Sequence, residues 1–311
     1  MLLWIRAHGA LFVSGTLRCV RDVLLLLALA VTLALGLATS SLAQAQETPP
    51  LDTSSSTDNA AKSAPGAPKD VGSPNDSGSA ATTEKGDEAL ARSIVERADA
   101  VRFPRESFQV EVTVKSRSGD DEFEPRVYRV SSKGNDNTIV QTLAPANERG
   151  QNMLMRGRDL WIFMPSVSQP VRLSLSQRLT GQVANGDLAR ANFSGDYDAT
   201  IGGTEQIDGK EYYVLELVAS QRGVTYPKVK YWVQKSNLHP YKAEFYSVSG
   251  RLLKTCSYAD FGQLGGRVRP TKLVLTDALK PADVSVMTYS DLRRVELPDR
   301  FFTKDYMKKL D

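Results

Sequence analysis

The chain has 311 residues, of which 24% are charged, and its formal net charge is +3. A balance this close to neutral argues against a nucleic-acid-binding protein, which would show a strong basic bias. The chain has two cysteines, Cys19 and Cys256, and they match no metal-ligand spacing. Cys256 reads as a small apolar residue in a buried strand.

The first 45 residues have the pattern of a secretory signal peptide. Three arginines flank the start of an apolar run over 23–38, and small residues with cleavage sites at Ala43 and Ala45 follow. The run of about 16 residues is short for a membrane span, which needs roughly 20, so the alternative of a membrane anchor is disfavoured. Cleavage removes three Arg and one Asp, which leaves 36 basic and 35 acidic residues. We therefore predict export through a signal peptide at 1–45.

Residues 46–86 form a low-complexity segment. They are mainly small, polar or charged, and Leu51 and Val71 are their only large apolar residues. Such a composition buries too little surface to offset the entropy of ordering the chain. We predict a disordered linker that spaces the domain from its surroundings. An arm that reaches toward a partner is the alternative.

A single domain is predicted over 87–311, and it begins with a helix. The helix should start near Asp87 and stop before Pro104. Apolar residues recur at helical spacing and form one face: Leu90, Ile94, Val95, Ala98 and Val101. This periodicity is typical of an amphipathic helix over 87–102.

Most of the rest of the domain reads as strands joined by turns. Alternating apolar residues mark a half-buried strand at 108–114. Segments 153–156 and 159–164 flank Gly157 as a tight hairpin, and Asp208-Gly209 is a strong hairpin signal. The spacing of such segments predicts about eleven strands, mostly antiparallel. Residues 165–195 break the meander and suit a loop with one or two short helices.

Apolar residues on both faces of the strands indicate the architecture. Leu160, Ile162 and Met164 alternate with Trp161 and Phe163. A sheet with one wet face would alternate apolar and polar residues instead. Both faces therefore need cover, and we expect the helices at 87–102 and 170–192 to lie against one side. The predicted fold is mainly β (α+β), a strongly curved antiparallel sheet that forms an open half-barrel, with helices filling its concave side.

Groups that could perform catalysis are scarce. His239 is the one histidine outside the predicted signal peptide, and it precedes Pro240 in a predicted turn. Asp196 and Asp198 form the nearest carboxylate pair, and on a strand both would point the same way. A solvated strand face explains this pair better than a calcium or acid–base site. We therefore expect no enzyme activity, no metal site and no cofactor.

A dense block of Met and aromatic residues spans 153–164. Unbranched Met fills irregular space and tolerates varied partners. A concave site lined by such residues would suit an acyl chain, because its binding is mainly removal of apolar area from water. The alternative is an ordinary protein core, and composition alone favours that alternative.

Several segments in the right order resemble a known family. Residues 152–165 read NMLMRGRDLWIFMP, residues 171–181 read VRLSLSQRLTG, and residues 192–198 read NFSGDYD. Tyr231-Trp232-Val233 and a C-terminal LPDRFFT at 297–303 add to the pattern. Together they resemble the outer-membrane lipoprotein-sorting protein family, the relatives of the LolA and LolB carriers.

The resemblance implies a periplasmic carrier or chaperone. Such a protein would bind lipid or lipoprotein acyl chains in a hydrophobic cavity and deliver them toward the outer membrane, with an inner-membrane efflux-type lipid exporter as a partner. The alternative is a periplasmic lipid-sensing module that regulates envelope stress signalling. We expect chains to enter when the 165–195 segment swings aside. Eight apolar residues are predicted to line or gate the cavity: Val112, Met155, Trp161, Phe163, Met164, Leu175, Leu179 and Trp232.

Overall fold

The computed structural model describes residues 77–310, with side chains from residue 87 onward. In this range sixteen strands are accompanied by a few helices, and fourteen of the strands form one antiparallel sheet. The prediction of a mainly β fold built on a large antiparallel sheet is confirmed. The predicted signal peptide at 1–45 and the part of the predicted linker before residue 77 lie outside the described residues.

The large sheet is a nearly continuous meander. Its strand order is β10-β11-β12-β13-β14-β15-β16-β1-β3-β4-β5-β6-β7, and β2 pairs with β1. The strands of this sheet are β1 (Phe108–Ser118), β2 (Asp121–Glu122), β3 (Arg126–Lys133), β4 (Asn137–Ala144), β5 (Asn152–Arg156), β6 (Asp159–Phe163), β7 (Val171–Leu173), β10 (Tyr197–Ile207), β11 (Lys210–Ala219), β12 (Lys228–Gln234), β13 (Pro240–Tyr246), β14 (Leu252–Leu264), β15 (Arg267–Asp277) and β16 (Val284–Arg294). A second sheet pairs β8 (Arg178–Thr180) with β9 (Val183–Ala184). Among the described strands, the two end strands β10 and β7 do not pair with each other, so the large sheet is open.

The strand count exceeds the prediction of about eleven because of four very short strands. β2, β7, β8 and β9 are two or three residues long. A strand this short shows no alternating pattern, so periodicity cannot reveal it. The predicted hairpins are confirmed, and Asp208 and Gly209 both have positive φ, as a type I′ turn requires.

The long helix α1 (Ser77–Arg102) packs on one face of the sheet. It begins earlier than the predicted start at Asp87 and ends before Pro104 as predicted. Leu90 was predicted to lie on the apolar face of this helix, but it is 45% exposed and lies outside the buried part of that face. The buried apolar residues of α1 are Ala91, Ile94, Val95 and Ala98.

Arg269 on β15 fixes the C-terminal end of α1. Its side chain is only 1% exposed, and its Nη1 donates to the carbonyl oxygens of Ala100 and Val101 at 3.0 and 2.9 Å. The last carbonyls of a helix have no partner within the helix and carry partial negative charge. A buried cation at this end therefore ties the helix to the sheet.

The plug segment, which we define as residues 165–195, covers the same face as α1. It contains β7, β8, β9 and the five-residue helix α2 (Asn185–Ala189). It was predicted to hold one or two short helices, and its short strands were missed. Six of its buried residues belong to the core cluster that also contains the buried face of α1: Leu175, Val183, Ala184, Leu188, Ala189 and Phe193. The prediction that α1 and this segment cover one side of the sheet is confirmed.

The C-terminal segment, residues 295–310, covers the opposite face of β4, β5 and β6. It consists of a 3-10 turn (Asp299–Phe301) and the short helix α3 (Lys304–Met307). Its Leu297, Phe302 and Met307 pack on Ile139 and Leu154 in a separate cluster. Both faces of this part of the sheet are therefore covered, as the apolar residues of β6 required.

Candidate functional site

The interior between the sheet, α1 and the plug segment contains two small cavities. The inner cavity has a volume of about 30 Å³ and lies against Arg102, Asn192, Tyr258 and Met287. The second cavity, of about 20 Å³, lies against Val112 and also borders Asn192. A water molecule needs roughly 10–15 Å³ of such space, so neither cavity holds an acyl chain. An acyl chain could therefore occupy either of these two cavities only if the surrounding cover moved.

Two glycines let the plug segment approach the sheet closely. A Cβ at Gly186 would lie 1.9 Å from Thr225 Oγ1, and one at Gly181 would lie 2.2 Å from Ser116 Oγ. Gly181 also has a φ of +51°, a left-handed conformation that glycine adopts without strain. The observed seating of the plug segment therefore depends on these two positions.

A buried lysine ties the middle of the plug segment to the sheet. Lys254 on β14 donates from Nζ to Asp187 Oδ2 at 2.7 Å and to the carbonyl oxygen of Gln182. The hydroxyl of Tyr226 donates to Asp187 Oδ1 at 2.9 Å. Ser285 Oγ accepts from the Gln182 amide at 2.8 Å. All these groups are buried or nearly so, which makes each bond costly to leave unmade.

Arg190 forms a second tie at the end of α2. Its guanidinium donates to Asp196, with Nη2 to Oδ1 at 2.8 Å, and to the carbonyl oxygens of Asn135 and Gly157. Arg158 donates to the same Asp196 oxygen at 2.7 Å. These contacts join the plug segment to the turns before β4 and β6.

The same contacts correct the prediction for Asp196 and Asp198. The two carboxylates were expected to share a strand face. Asp196 instead precedes β10, is buried and points toward two arginines, whereas Asp198 is exposed. Two cations draw Asp196 inward, so the pair is not a joint site.

A third tie is made by Asp99 of α1. Its Oδ2 accepts from the backbone amides of Phe193 and Ser194 at 2.9 and 2.7 Å. Its Oδ1 lies 3.6 Å from Nη1 of Arg102, one turn further along α1. Desolvation by burial raises the pKa of the Asp99 carboxyl, although Arg102 and the two amides act in the opposite direction. A buried charge pair thus lies directly beneath the end of the plug segment.

The walls of the interior are rich in tyrosine. Burial raises the pKa of four of these hydroxyls above the ordinary value for tyrosine, and they therefore stay protonated at neutral pH. The four residues are Tyr226, Tyr231, Tyr258 and Tyr289. Burial likewise raises the pKa of the Cys256 thiol to about 12, and the buried strand position predicted for this residue is confirmed. A thiol that stays protonated is a poor nucleophile.

The eight predicted lining or gating residues occupy different sides of the sheet. Val112, Met155 and Leu175 are buried in the core cluster on the plug side, and Leu179 packs against it. Met164 directly precedes the plug segment.

The remaining three predicted residues lie on the outer side. Trp161 and Phe163 pack with the C-terminal segment, and Lys304 Nζ lies 4.3 Å from the centre of the Trp161 ring. Trp232 packs with Tyr212 and donates from Nε1 to Glu205 Oε2 at 2.6 Å. The structure therefore brings four of the eight together and places Trp161, Phe163 and Trp232 elsewhere.

Sequence reasoning missed the buried charged residues of the interior. Asp99 and Arg102 follow Val95 and Ala98 at a spacing of four, which places them within the apolar stripe of α1. Lys254 falls in the inward register of β14 with Cys256 and Tyr258. The sequence did contain a signal for these residues, because they occupy positions where the helix or strand pattern places apolar side chains. A charged residue at such a position indicates an internal ion pair.

The structure also locates the remaining chemical candidates. His239 lies in the turn before β13, as predicted, where its ring stacks on Phe261 at 4.5 Å and burial lowers its pKa. Within residues 77–310, no group of three or more His, Cys, Asp or Glu side chains could hold a metal ion. No helix in this range is long and apolar enough to cross a membrane.

Comparison with known proteins identifies the family. A family model described as "Uncharacterized protein" matches residues 134–309. The crystal structure of a LolA superfamily protein from Nitrosomonas europaea is 59% identical, with a TM-score of 0.67, and the match covers 70% of this chain and 98% of that one. The chain belongs to the LolA superfamily. The predicted relationship to lipoprotein-sorting proteins is confirmed.

Two more distant structures share the LolA superfamily fold. A DUF1329 family protein from Desulfovibrio piger is 22% identical with a TM-score of 0.62, over 71% of this chain and 99% of that one. A domain assigned to outer membrane lipoprotein-sorting proteins, from Vibrio parahaemolyticus, is 21% identical with the same TM-score and the same coverage. No curated protein matches the chain.

Proposed function

We propose that this chain is a periplasmic carrier that binds acyl chains of lipids or lipoproteins beneath its plug segment. One observation carries the proposal: an apolar interior is sealed by a segment that polar side chains tie down. Membership of the LolA superfamily supports the same reading. In this proposal the sheet curves as an open half-barrel around the interior. The core cluster supports this curvature, because it contains both Leu160 of β6, near one end of the strand order, and Leu217 of β11, near the other end.

The energetics favour exchange of the plug segment for a ligand. Moving the plug segment exposes apolar walls to water, and each methylene of a bound chain then contributes roughly 0.8 kcal/mol by covering them. The ties broken on opening are hydrogen bonds and ion pairs, whose partners water can solvate once the segment is free. A long acyl chain can therefore compensate for the lost contacts of the plug segment.

The predicted residues take distinct parts in this proposal. Val112, Met155, Leu175 and Leu179 lie where an entering chain would contact them. Met164 lies at the start of the plug segment, and its carbonyl oxygen accepts from the Val167 amide at 2.9 Å, so it would act as a hinge that gates the site. Trp161 and Phe163 would hold that hinge through the C-terminal segment.

The cellular part of the proposal rests on the N-terminal sequence and the family. The signal peptide predicted at 1–45 would send the protein to the periplasm, where it would deliver its cargo toward the outer membrane. An inner-membrane lipid exporter of the efflux type would load it. Cell fractionation of a tagged chain tests the location, and cross-linking in cells tests the exporter.

A plug variant tests lipid binding directly. In Gly186→Ala the new methyl group collides with Thr225, so the plug segment cannot seat fully and the interior opens. We expect faster and tighter binding of a fluorescent fatty acid than in the wild type. Gly262→Ala is the matched control, because its Cβ meets Thr271 Cγ2 at 3.7 Å and the Asp260 carbonyl oxygen at 3.9 Å, both ordinary contact distances. If neither the wild type nor Gly186→Ala binds the probe saturably, the carrier proposal is wrong.

A further inference from the structure

We propose that the Arg102 end of the inner cavity binds the hydroxyl head group of a neutral lipid, such as a long-chain alcohol or a monoacylglycerol. This inference rests on the proposed function and specifies its ligand. It predicts that the carrier selects neutral amphiphiles over anionic lipids that have the same chain.

The first observation is a buried guanidinium with unused donor capacity. Arg102 is only 6% exposed and lines the inner cavity. Its Cζ lies 5.2 Å from the ring centre of Phe193 and 5.3 Å from that of Tyr258. Aromatic faces stabilise the charge but accept no ordinary hydrogen bond. Among residues 77–310, Nη1 of Arg102 has no hydrogen-bond partner.

The second observation is a set of unused acceptors around the same place. Asp99 Oδ1, 3.6 Å from Arg102 Nη1, is buried without a hydrogen bond to any described residue. The same holds for Asn192 Oδ1, on the plug side of the cavity, and for the hydroxyl of Tyr231, whose ring packs on Phe193. Buried polar groups are nearly always hydrogen-bonded in folded proteins, so a cluster of exceptions calls for a partner.

Charge decides which partner fits. Arg102 and Asp99 together form a neutral pair. An anionic head group would be attracted by Arg102 but repelled by Asp99, and a cationic head group would meet the reverse. A hydroxyl group avoids both penalties, because it accepts from Nη1 with its oxygen and donates its proton to a free carboxylate or amide oxygen.

Size and wall chemistry agree with this choice. The inner cavity of about 30 Å³ has room for about two water-sized groups, which suits one or two hydroxyls. Its walls also include apolar side chains, Phe245, Leu273 and Met287 among them. The other charged residues of the lining, Asp187, Arg190 and Asp196, are held in ion pairs, Asp187 with Lys254 and Arg190 with Asp196. A hydrocarbon chain attached to the hydroxyl would therefore continue along the apolar part of the wall toward the space that the plug segment vacates.

Matched ligands of equal chain length test the selectivity. Dodecanol, monolauroylglycerol and laurate are titrated at neutral pH against the protein preloaded with a fluorescent probe. We expect the alcohol and the glyceride to displace the probe at about tenfold lower concentration than laurate, the difference typical of one unmatched buried polar group. If all three compete equally the inference is wrong while the carrier function stands. If none competes and the probe itself does not bind, the proposed function fails as well.

Two variants separate recognition from folding. Asp99→Asn removes the negative charge but keeps an oxygen for the Phe193 and Ser194 amides, so it should bring laurate to within about threefold of dodecanol. Arg102→Met should weaken dodecanol about tenfold. Arg105→Met, at an exposed arginine outside the site, should change neither. Unaltered selectivity in Asp99→Asn would overturn the inference, and this variant decides the matter if Arg102→Met does not fold.

Discussion

The plug segment and the C-terminal segment both pack apolar side chains on the sheet, but at the plug segment buried charged side chains add to this packing. Charged and polar side chains that are themselves buried secure the plug segment, with Asp99, Lys254 and Arg190 at three separate points. The C-terminal segment is secured by apolar packing of Phe302 and Met307. Its main buried polar contact is Asn152, whose Nδ2 donates to the carbonyl oxygens of Met307 and Leu310 at 3.1 and 2.6 Å.

The contrast suggests which cover moves. A buried ion pair adds little net stability, because desolvation of both charges offsets their attraction. Apolar burial, in contrast, contributes about 25 cal/mol for each Å² removed from water, with no alternative partner in the solvent. Under the proposed function, we expect the plug segment to leave when a ligand replaces its apolar contacts and water or the ligand's polar group satisfies the charged groups that are uncovered. We expect the C-terminal segment to stay packed on the sheet as long as the protein is folded.

The largest expected effect follows from truncating the apolar cover. Phe302→Ala should lower the free energy of unfolding by about 3–5 kcal/mol, because it removes a buried aromatic side chain and leaves a cavity on β4 and β5. It should not increase binding of a fluorescent fatty acid, since the interior under the plug segment is on the other face. Denaturant unfolding and probe titration measure the two quantities.

Gly186→Ala is the comparison variant for this prediction. It should increase probe binding with a smaller loss of stability than Phe302→Ala causes. If Phe302→Ala opened the interior to the probe as much as Gly186→Ala does, the two covers would be one cooperative unit and the contrast would be wrong.

A second prediction uses the buried tyrosines beside the plug segment. Their folded-state pKa is raised by burial, whereas in the unfolded chain it is about 10. Their contribution to stability is thus complete below pH 10 and is lost as the pH rises above it, by roughly 1.4 kcal/mol per pH unit for each tyrosine. We expect cooperative alkaline unfolding.

Ultraviolet absorbance of tyrosinate and hydrogen exchange measure this alkaline transition. The buried tyrosines should ionise together with unfolding, and amides of residues 182–194 should lose protection before those of the C-terminal segment. Gradual ionisation of all tyrosines near pH 10 in a protein that stays folded would show that the interior is open to water, against the closed arrangement described above.

Much of the sheet could be predicted because its strands carry local signals. The alternation through Leu160 and Trp161 indicated two covered faces, and the structure places these residues in separate clusters. Asp208-Gly209 and Gly157 each predicted a hairpin that is present. These signals lie within a few residues of the structure that they specify.

The candidate site was less predictable because its key contacts span long stretches of the chain. Lys254 meets Asp187 across 67 residues, and Arg190 meets Gly157 across 33. A single sequence gives no register for such pairs. The sequence also did not show that Trp161 and Phe163 lie on the opposite face of the sheet from Met155. The cover on their face comes from the distant C-terminal segment, which local periodicity does not reveal.

The smallest expected effect concerns an exposed ion pair at the edge of the C-terminal segment. Lys133 Nζ lies 2.7 Å from Asp299 Oδ1, and this hydrogen bond lowers the pKa of the Asp299 carboxyl. The Asp299 side chain is largely exposed and that of Lys133 partly so, and water and salt therefore screen the attraction. Lys133→Ala should therefore leave the melting temperature almost unchanged at neutral pH, and any small loss should vanish in high salt or when the carboxyl is protonated in acid. Thermal unfolding at low and high salt measures this, and a loss close to that of Phe302→Ala would show that charge rather than apolar packing holds the C-terminal segment.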